Sequence, residues 1–216
     1  MDYFVLRKRN CLEVGKALQG VEKKGRAAEL VRSSGQPLCA CEGRRLSKYS
    51  PRPVMDDEML ARFAFHPTHF SKKGELRASI FSHFFDRGCS IQRESVARPG
   101  ELQSFCRSML SGQVDWVWGG VVTARCSEVR RLFAEKEAGR VLCVYDTANK
   151  DNPAHGEIFR SRDLVEEGDE NEIRAELMRI FNCKSPISPN EYQGGLIWGS
   201  LPAELRRTMP AIDRRQ

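Results

Sequence analysis

The sequence predicts an α+β fold, in which a mixed β-sheet packs against helices and an amphipathic basic helix lies at the N-terminus. Three observations predict this fold class. Short segments with alternating or continuous apolar residues, typical of strands, recur between residues 59 and 159. Segments with apolar residues every three or four positions, typical of helices, lie between and after them. The composition, 40% hydrophobic and 30% charged over 216 residues, supports a buried core and excludes global disorder.

The charge is concentrated in the first quarter of the chain. Residues 1–54 hold twelve Lys or Arg against five acids, a net charge of +7, while the whole chain carries +6. Pro51 and Pro53 disfavour helix at the point where the composition changes. We therefore predict a basic helical arm and loop over 1–54, an α+β body over 55–183 and an irregular tail over 184–216.

The arm is predicted to form an amphipathic helix over residues 11–34. Asn10 and Glu13 have the form of a capping box, and apolar residues then recur at helical spacing as far as Val31. The basic residues fall largely on the other face, which favours an acidic or polyanionic partner, either a protein or a nucleic acid. The candidate partner-binding residues are Lys16, Lys23, Lys24, Arg26 and Arg32.

Three features concern the compartment. No apolar run reaches the roughly eighteen residues that a membrane-spanning helix needs, so we expect none. The chain starts with a short apolar run ahead of Arg7-Lys8-Arg9, which is the reverse of a secretory signal. Eight cysteines without regular spacing do not indicate a disulfide framework. We therefore expect reduced thiols and a cytoplasmic protein with no membrane partner.

The body contains several candidate strands and helices. The alternation that begins at Met59 predicts a half-buried strand. A buried strand, a helix starting at Ser127 and a second strand ending at Tyr145 have the size of a βαβ unit. A further helix is predicted from Ile173, just after a run of acids that its dipole favours. The candidate strands are Met59–Phe65, Gly88–Ile91, Val117–Thr123, Arg140–Tyr145 and Gly156–Phe159.

Three segments of the body place polar residues inside or beside apolar ones. They contain Arg62 with the histidines that follow it, the run Cys89–Arg93, and the run Asn152–Ile158. An arginine in the middle of a strand is costly to bury unless it meets an anion. Glu157, between a glycine and an isoleucine, is a candidate strand residue directed into a cleft. We expect the three segments to converge.

These segments resemble two groups of proteins. Leu60-x-Arg62, Ser90-x-x-Arg93 and Asn152-Pro153-Ala154-His155-x-Glu157-Ile158 are similar to a family of bacterial proteins without assigned function, over roughly residues 57–182. The order Arg, Ser, Glu also resembles the layout of ADP-ribosyltransferases. That resemblance implies that Arg62 holds a pyrophosphate of NAD, that Ser90 supports the nicotinamide half, and that Glu157 orients the ribose or the acceptor.

The resemblance also has departures. Those enzymes typically have Ser-Thr-Ser where this chain has Cys89-Ser90-Ile91, and often Glu or Gln where it has His155. With NAD as the implied cofactor, the candidate catalytic residues are Glu157, His155 and Arg62. The candidate cofactor-binding residues are Arg62, Ser90 and Arg93.

Cysteines and histidines suggest a second chemistry. Cys39-x-Cys41 with Cys11, His66 or His69 could supply four zinc ligands. A single pair at this spacing also fits two reduced thiols in a loop, so no metal ligand is assigned.

Two further chemistries involve the late polar segment. Asp146, Asp151, His155 and Glu157 could form a metal-dependent nuclease centre. Cys89 and His155 could form a nucleophilic pair. Neither has a local sequence signature.

The sequence thus predicts a nucleotide-handling transferase of ADP-ribosyltransferase-like layout that acts on a macromolecular target. The alternative is a non-catalytic interaction subunit that docks on a protein or nucleic acid through residues 11–34. Convergence of Arg62, Ser90 and Glu157 on one cleft would favour the enzyme.

Overall fold

Five strands of the described residues form an antiparallel sheet with the order β3-β1-β2-β5-β4. The computed structural model describes residues 11, 39, 41–84, 87–97, 102, 105, 109–111, 113–132, 140–160, 167–184 and 186–188. The strands are β1 Met59–His66, β2 Cys89–Arg93, β3 Val117–Arg125, β4 Leu142–Tyr145 and β5 His155–Arg160.

The strand order corrects two predictions. Every neighbouring pair is antiparallel, so the sheet is not mixed. β3 and β4, which the sequence places in one βαβ unit, form opposite edges of the sheet with three strands between them. Periodicity predicts that a segment is a strand, but pairing depends on residues distant in the chain, and this explains both differences.

Three helical segments of the described residues pack on one face of the sheet. They are a 3-10 segment, Ala78–Phe84, followed by α1, Cys126–Arg130, and α2, Glu167–Ile180. α2 begins earlier than the predicted Ile173, because the acids expected to precede the helix form its first turns, where the helix dipole favours them. The core on this side includes Leu60, Ala64, Ile80, Phe81, Phe84, Val122, Val129, Val144, Ile158, Ile173, Leu177 and Phe181.

The opposite face of the sheet carries two separate apolar clusters. One packs around Phe63, Phe65 and Trp118 on β1 and β3. The other packs around Tyr145 and Phe159 on β4 and β5. The prediction that β1 is half-buried is therefore wrong, since its residues from the second to the seventh are all buried. Polar residues of β2 and β5 occupy this face between the two clusters.

Most of the predicted arm and tail lies outside the described residues. Of the predicted helix over 11–34, only Cys11 is described, in helical conformation. The candidate partner-binding residues lie in the remainder, so their role stays a prediction: Lys16, Lys23, Lys24, Arg26 and Arg32. Within the ranges given above, no helix is both long and apolar enough to cross a membrane.

Candidate functional site

Ser90 and Glu157 are direct partners on β2 and β5. In an antiparallel pair, side chains at partner positions have Cβ atoms about 5 Å apart and point to the same face. Gln92 and His155 are the next pair on that face, two residues along each strand. The sheet therefore brings together two of the segments that the sequence singles out, although they lie more than sixty positions apart.

Arg62 contacts this group by a hydrogen bond from its side chain to the main chain of Ser90. β1 and β2 pair only at Leu60 and Ala61, and beyond that point the strands separate. The Arg62 guanidinium lies in the gap, where Nη1 donates to the carbonyl oxygen of Ser90 and Nε donates to that of Ile80 at 2.7 Å. Arg62 is buried, and its two hydrogen bonds go to neutral carbonyls. No carboxylate among the described residues forms an ion pair with it.

A cleft of about 300 Å³ opens beside this gap. Its walls combine basic side chains with aromatic rings. The rings of Phe65 and Trp116 stack with centroids 5.3 Å apart, and those of Phe63 and Phe105 lie 6.2 Å apart. The lining comprises Arg62, Phe63, Phe65, His69, His83, Arg87, Gly88, Ser90, Gln92, Phe105, Met109 and Trp116. This combination suits a ligand with an anionic group and a flat apolar part.

His69 is a neutral hydrogen-bond donor in this wall. Its Nδ1 accepts the main-chain N–H of Phe65 at 3.1 Å. Burial lowers the pKa of His69 to about 4, with smaller contributions from the positive charges of Arg62 and His83. At neutral pH the ring is uncharged, and since Nδ1 is the acceptor, the proton resides on Nε2.

Gln92 carries an acceptor without a partner. It is 1% exposed, and its Oε1 accepts no hydrogen bond from any residue that the structure describes. An unsatisfied buried acceptor costs about 1–3 kcal/mol. Gln92 also lines the cleft. A ligand N–H placed in the cleft would remove that cost.

Glu157 and His155 lie one strand further from the gap. Glu157 is buried and does not line the cleft, whereas Ser90, its partner on β2, does. His155 is fixed by the loop after β4, because its Nδ1 lies 2.7 Å from Oγ1 and 3.2 Å from the carbonyl oxygen of Thr147. Both residues thus stand behind Ser90 and Gln92 on the same face.

Arg93 is held by an ion pair and by hydrogen bonds within the protein. It is fully buried, with Nε and Nη2 forming a bidentate ion pair to Glu58 at 2.9 and 2.8 Å. Nη1 donates to Ser50 Oγ and Arg52 O, and Nη2 also donates to Pro53 O. These bonds use all five guanidinium donors. None is left for a cofactor, so the predicted cofactor-binding role of Arg93 is not part of the proposal below.

Four cysteines meet near the β4 edge of the sheet, contrary to the expectation of reduced thiols. Cys11 is bonded to Cys41, and Cys39 to Cys143, over sequence separations of 30 and 104. Such distant partners leave no local signal in the sequence, so neither bond could be predicted from cysteine spacing. The four zinc ligands that the sequence suggested are not assembled among the described residues, because the one set of ligand atoms within 4.8 Å of one another that contains Cys39 includes neither Cys11 nor Cys41. His66 and His69 lie on or next to β1.

The structure does not assemble the other two chemistries. Among the described residues, the one set of three or more ligand atoms within 4.8 Å of one another is Cys39, Glu42 and Cys143, so the nuclease set forms no such cluster. Cys89 belongs to the core on the helix side, whereas His155 faces the other side. Burial also raises the pKa of the Cys89 thiol, which disfavours a thiolate nucleophile.

Sequence reasoning missed much of the cleft wall. Gln92 falls in a segment that it singled out but was given no role, and His69 was considered only as a zinc ligand. Arg87, Phe105 and Trp116 carry no local motif, since only the tertiary fold brings them beside β1. No protein-family model matches the chain, and no curated protein or solved structure matches it either.

Proposed function

We propose that this chain is a nucleotide-handling transferase with the layout of ADP-ribosyltransferases, and that its nucleotide binds in the cleft beside β1 and β2. Its acceptor would be a macromolecule, and its cofactor NAD. The observation that carries the proposal is Arg62, a buried guanidinium in the cleft wall without a carboxylate partner among the described residues.

A buried charge without a counterion is strongly unfavourable. Arg62 donates one hydrogen bond from Nε and one from Nη1 to main-chain carbonyl groups. Its remaining donors would be satisfied by a phosphate or pyrophosphate, which guanidinium groups bind with good geometry. The neutral Nε2–H of His69 would add a second donor on the same wall.

The aromatic part of the wall supports a nucleotide over a bare phosphate. Nucleobases and nicotinamide present flat π-faces, and stacking on aromatic side chains is worth about 1–3 kcal/mol per base. Phe105 and Trp116, which are partly exposed, provide such surfaces in the wall that also contains Arg62. The Oε1 of Gln92, which has no partner among the described residues, would accept an N–H from an exocyclic amine or carboxamide.

Under this proposal the reacting ribose would lie over Ser90, the cleft residue that pairs with Glu157 on the next strand. The bond between ribose C1′ and nicotinamide breaks, and nicotinamide leaves with the bonding electrons. A nucleophilic O or N of the acceptor bonds to C1′ and releases its proton to solvent. Glu157 would hydrogen-bond a ribose hydroxyl and stabilise the positive charge that develops on the sugar. His155 would position Glu157 from the neighbouring residue pair.

The test is release of nicotinamide from NAD by the purified chain, followed by chromatography. Glu157→Gln keeps the shape of the side chain and removes its charge, so we expect release to fall to background while the melting temperature stays within a few degrees. Glu172→Gln, on an exposed part of α2, is the matched control and should keep full activity. Unfolding of Glu157→Gln would instead make that residue structural, and activity equal to the control would remove its catalytic role.

The alternative, an interaction subunit, has one supporting contact. The Cys11–Cys41 bond fixes the start of the predicted basic helix to a loop that the Cys39–Cys143 bond joins to β4. This alternative is favoured over the transferase if NAD, ATP and ADP-ribose all fail to bind. It also requires that the chain bind a protein or a nucleic acid, with an affinity that falls as the salt concentration rises.

A further inference from the structure

We propose that the Cys39–Cys143 disulfide is a thiol-exchange site, which a small anionic thiol of the glutathione class opens from a cavity beside β4 and which the disulfide form of that thiol closes again. The other disulfide, Cys11–Cys41, keeps a structural role. The proposal goes beyond the transferase activity and does not depend on it, because the cavity and the cleft beside β1 and β2 share no lining residue.

The two disulfides differ in access from solvent. Cys39 is half-buried and lines a cavity of about 490 Å³. Cys143, Cys11 and Cys41 are buried, and none of them lines that cavity. Exchange requires contact between an attacking thiolate and one sulfur of the bond. Cys39 is therefore the residue that a thiol in the cavity reaches, and the Cys11–Cys41 bond is protected.

The charge of the cavity favours an anionic thiol. Its lining contains three arginines, Arg130, Arg131 and Arg140, and two carboxylates, Glu42 and Asp56. Each carboxylate forms an ion pair of 2.6 Å with a different arginine, which leaves the exposed Arg131 as the additional positive charge. A concave surface with an excess of one sign raises the local concentration of ions of the opposite sign. A thiol that carries carboxylates, as glutathione does, is therefore favoured over a neutral or cationic one.

The loop that carries Cys39 is also held to the sheet by hydrogen bonds. Glu42 Oε1 accepts the main-chain N–H of Val144, and the main-chain N–H of Leu46 donates to Asp146 at 3.0 Å. These contacts do not require the disulfide, so they keep the two thiols close together after the bond opens. Groups held together in this way react at a high effective concentration, which makes the opening reversible.

The free cysteines of the described residues do not supply the attacking group. Burial raises the pKa of Cys126 and of Cys183 to about 12, and it also raises the pKa of Cys89. Only a thiolate attacks a disulfide, so these three thiols are inert at neutral pH. This favours a thiol that enters the cavity from solvent.

The exchange balances with the external thiol alone. A glutathione thiolate bonds to the sulfur of Cys39, and the Cys39–Cys143 bond breaks with its electrons going to Cys143, which takes a proton from solvent. A second glutathione thiolate attacks the sulfur of the bound glutathione and releases Cys39, which also takes up a proton. The protein gains two electrons and two protons, and two glutathione molecules leave as one disulfide. The same steps in reverse close the bond.

The experiment treats the folded, oxidised chain with excess glutathione, blocks thiols with iodoacetamide at successive times and locates each modified cysteine by mass spectrometry. We expect glutathione on Cys39 first, then free thiols at Cys39 and Cys143, while the Cys11–Cys41 bond stays intact. Glutathione disulfide should then restore the Cys39–Cys143 bond. First attack at Cys11 or Cys41, no opening of the Cys39–Cys143 bond, or failure of the bond to return would each overturn the proposal.

A trapping variant identifies the attacked sulfur. Reduced Cys143→Ala, treated with glutathione disulfide, should hold one glutathione on Cys39, because no partner thiol displaces it. Reduced Cys183→Ala, which lacks a free buried cysteine of the core, should close the Cys39–Cys143 bond and accumulate no adduct on Cys39. The same amount of adduct on Cys39 in both variants would contradict Cys39 and Cys143 as the exchanging pair.

Arg131→Gln tests the charge of the thiol. At low salt it should slow opening of the bond by glutathione at least about threefold, because it removes the additional positive charge. Opening by the neutral thiol 2-mercaptoethanol should not change. Arg179→Gln, which removes an exposed arginine outside the cavity lining, is the control and should alter neither rate. Equal rates with glutathione for Arg131→Gln and the control would contradict the anionic class of the thiol.

Discussion

Arg93 and Glu58 form a bidentate ion pair inside the protein, with Nε–Oε2 and Nη2–Oε1 distances of 2.9 and 2.8 Å. The pair joins the last residue of β2 to the residue just before β1. Through its other donors Arg93 also binds Ser50 and the main chain of Arg52 and Pro53. The loop that precedes the sheet is therefore fastened to the sheet by one side chain.

We predict that Glu58→Gln destabilises the protein by about 3–5 kcal/mol at pH 7, because it leaves the Arg93 charge buried without a counterion. Asp57→Asn, at the exposed neighbouring position, is the control and should change stability little. Urea unfolding measures both. A loss below about 1 kcal/mol for Glu58→Gln would show that the pair contributes little.

The same pair predicts an acid dependence. Burial alone would raise the pKa of Glu58, but the hydrogen bonds and charge of Arg93 outweigh burial and hold that pKa below its usual value. A lowered carboxyl pKa stabilises the fold above the unfolded-state pKa and loses that contribution as pH falls through the folded-state pKa. The stability difference between wild type and Glu58→Gln should therefore shrink below about pH 4.5. A difference that stays constant down to acid unfolding would contradict this.

His69 predicts a second pH dependence at higher pH. Its pKa is lowered from 6.5 to about 4, so between these values the unfolded chain binds a proton that the folded chain does not. Stability should fall as pH falls from 6.5 to 4, by up to about 3 kcal/mol from this residue. His69→Asn, which can still accept the N–H of Phe65, should flatten the melting temperature over that range. An unchanged profile would mean that His69 titrates normally.

A substitution of Gln92 should change the stability of the free protein and its nucleotide binding in opposite directions. Because its Oε1 has no partner among the described residues, Gln92→Met should stabilise the free protein by about 1 kcal/mol. The same change should weaken nucleotide binding, since it removes an acceptor from the cleft wall. Gln113→Met, at an exposed position, should alter neither property. Thermal unfolding with and without NAD measures both effects, and a destabilised Gln92→Met would make the side chain structural.

Local pattern predicted the strands well, because alternation and continuous apolar runs reflect burial next to the chain itself. Three starts differ by one or two residues, and the half-buried character of β1 was wrong because a second apolar cluster covers its other face. The predicted bounds are Met59–Phe65, Gly88–Ile91, Val117–Thr123, Arg140–Tyr145 and Gly156–Phe159. The observed bounds, in the same order, are Met59–His66, Cys89–Arg93, Val117–Arg125, Leu142–Tyr145 and His155–Arg160.

Pairing and bonding across the chain could not be predicted in the same way. Nothing local in β3 or β4 indicates that they form opposite edges of the sheet. Cys39 and Cys143 are separated by 104 residues, so neither segment carries a sign of the other. The residues of the candidate site also differ in whether local sequence could identify them. Arg62, Ser90 and Glu157 were identifiable as unusual residues, whereas the aromatic wall depends on tertiary packing alone.

The most direct test of the account is a calorimetric titration of NAD into three proteins: wild type, Arg62→Met and Arg77→Met. Arg62→Met fills the same space without charge and should stay folded, whereas Arg77→Met removes an exposed guanidinium outside the cleft lining. We predict one NAD per chain for wild type and Arg77→Met, and at least about a 30-fold loss of affinity for Arg62→Met, from the 2 kcal/mol or more that a lost buried charge contact costs. Equal affinity in all three proteins, or no binding to wild type, would contradict the assignment of Arg62 as the anion-binding residue of a nucleotide cleft.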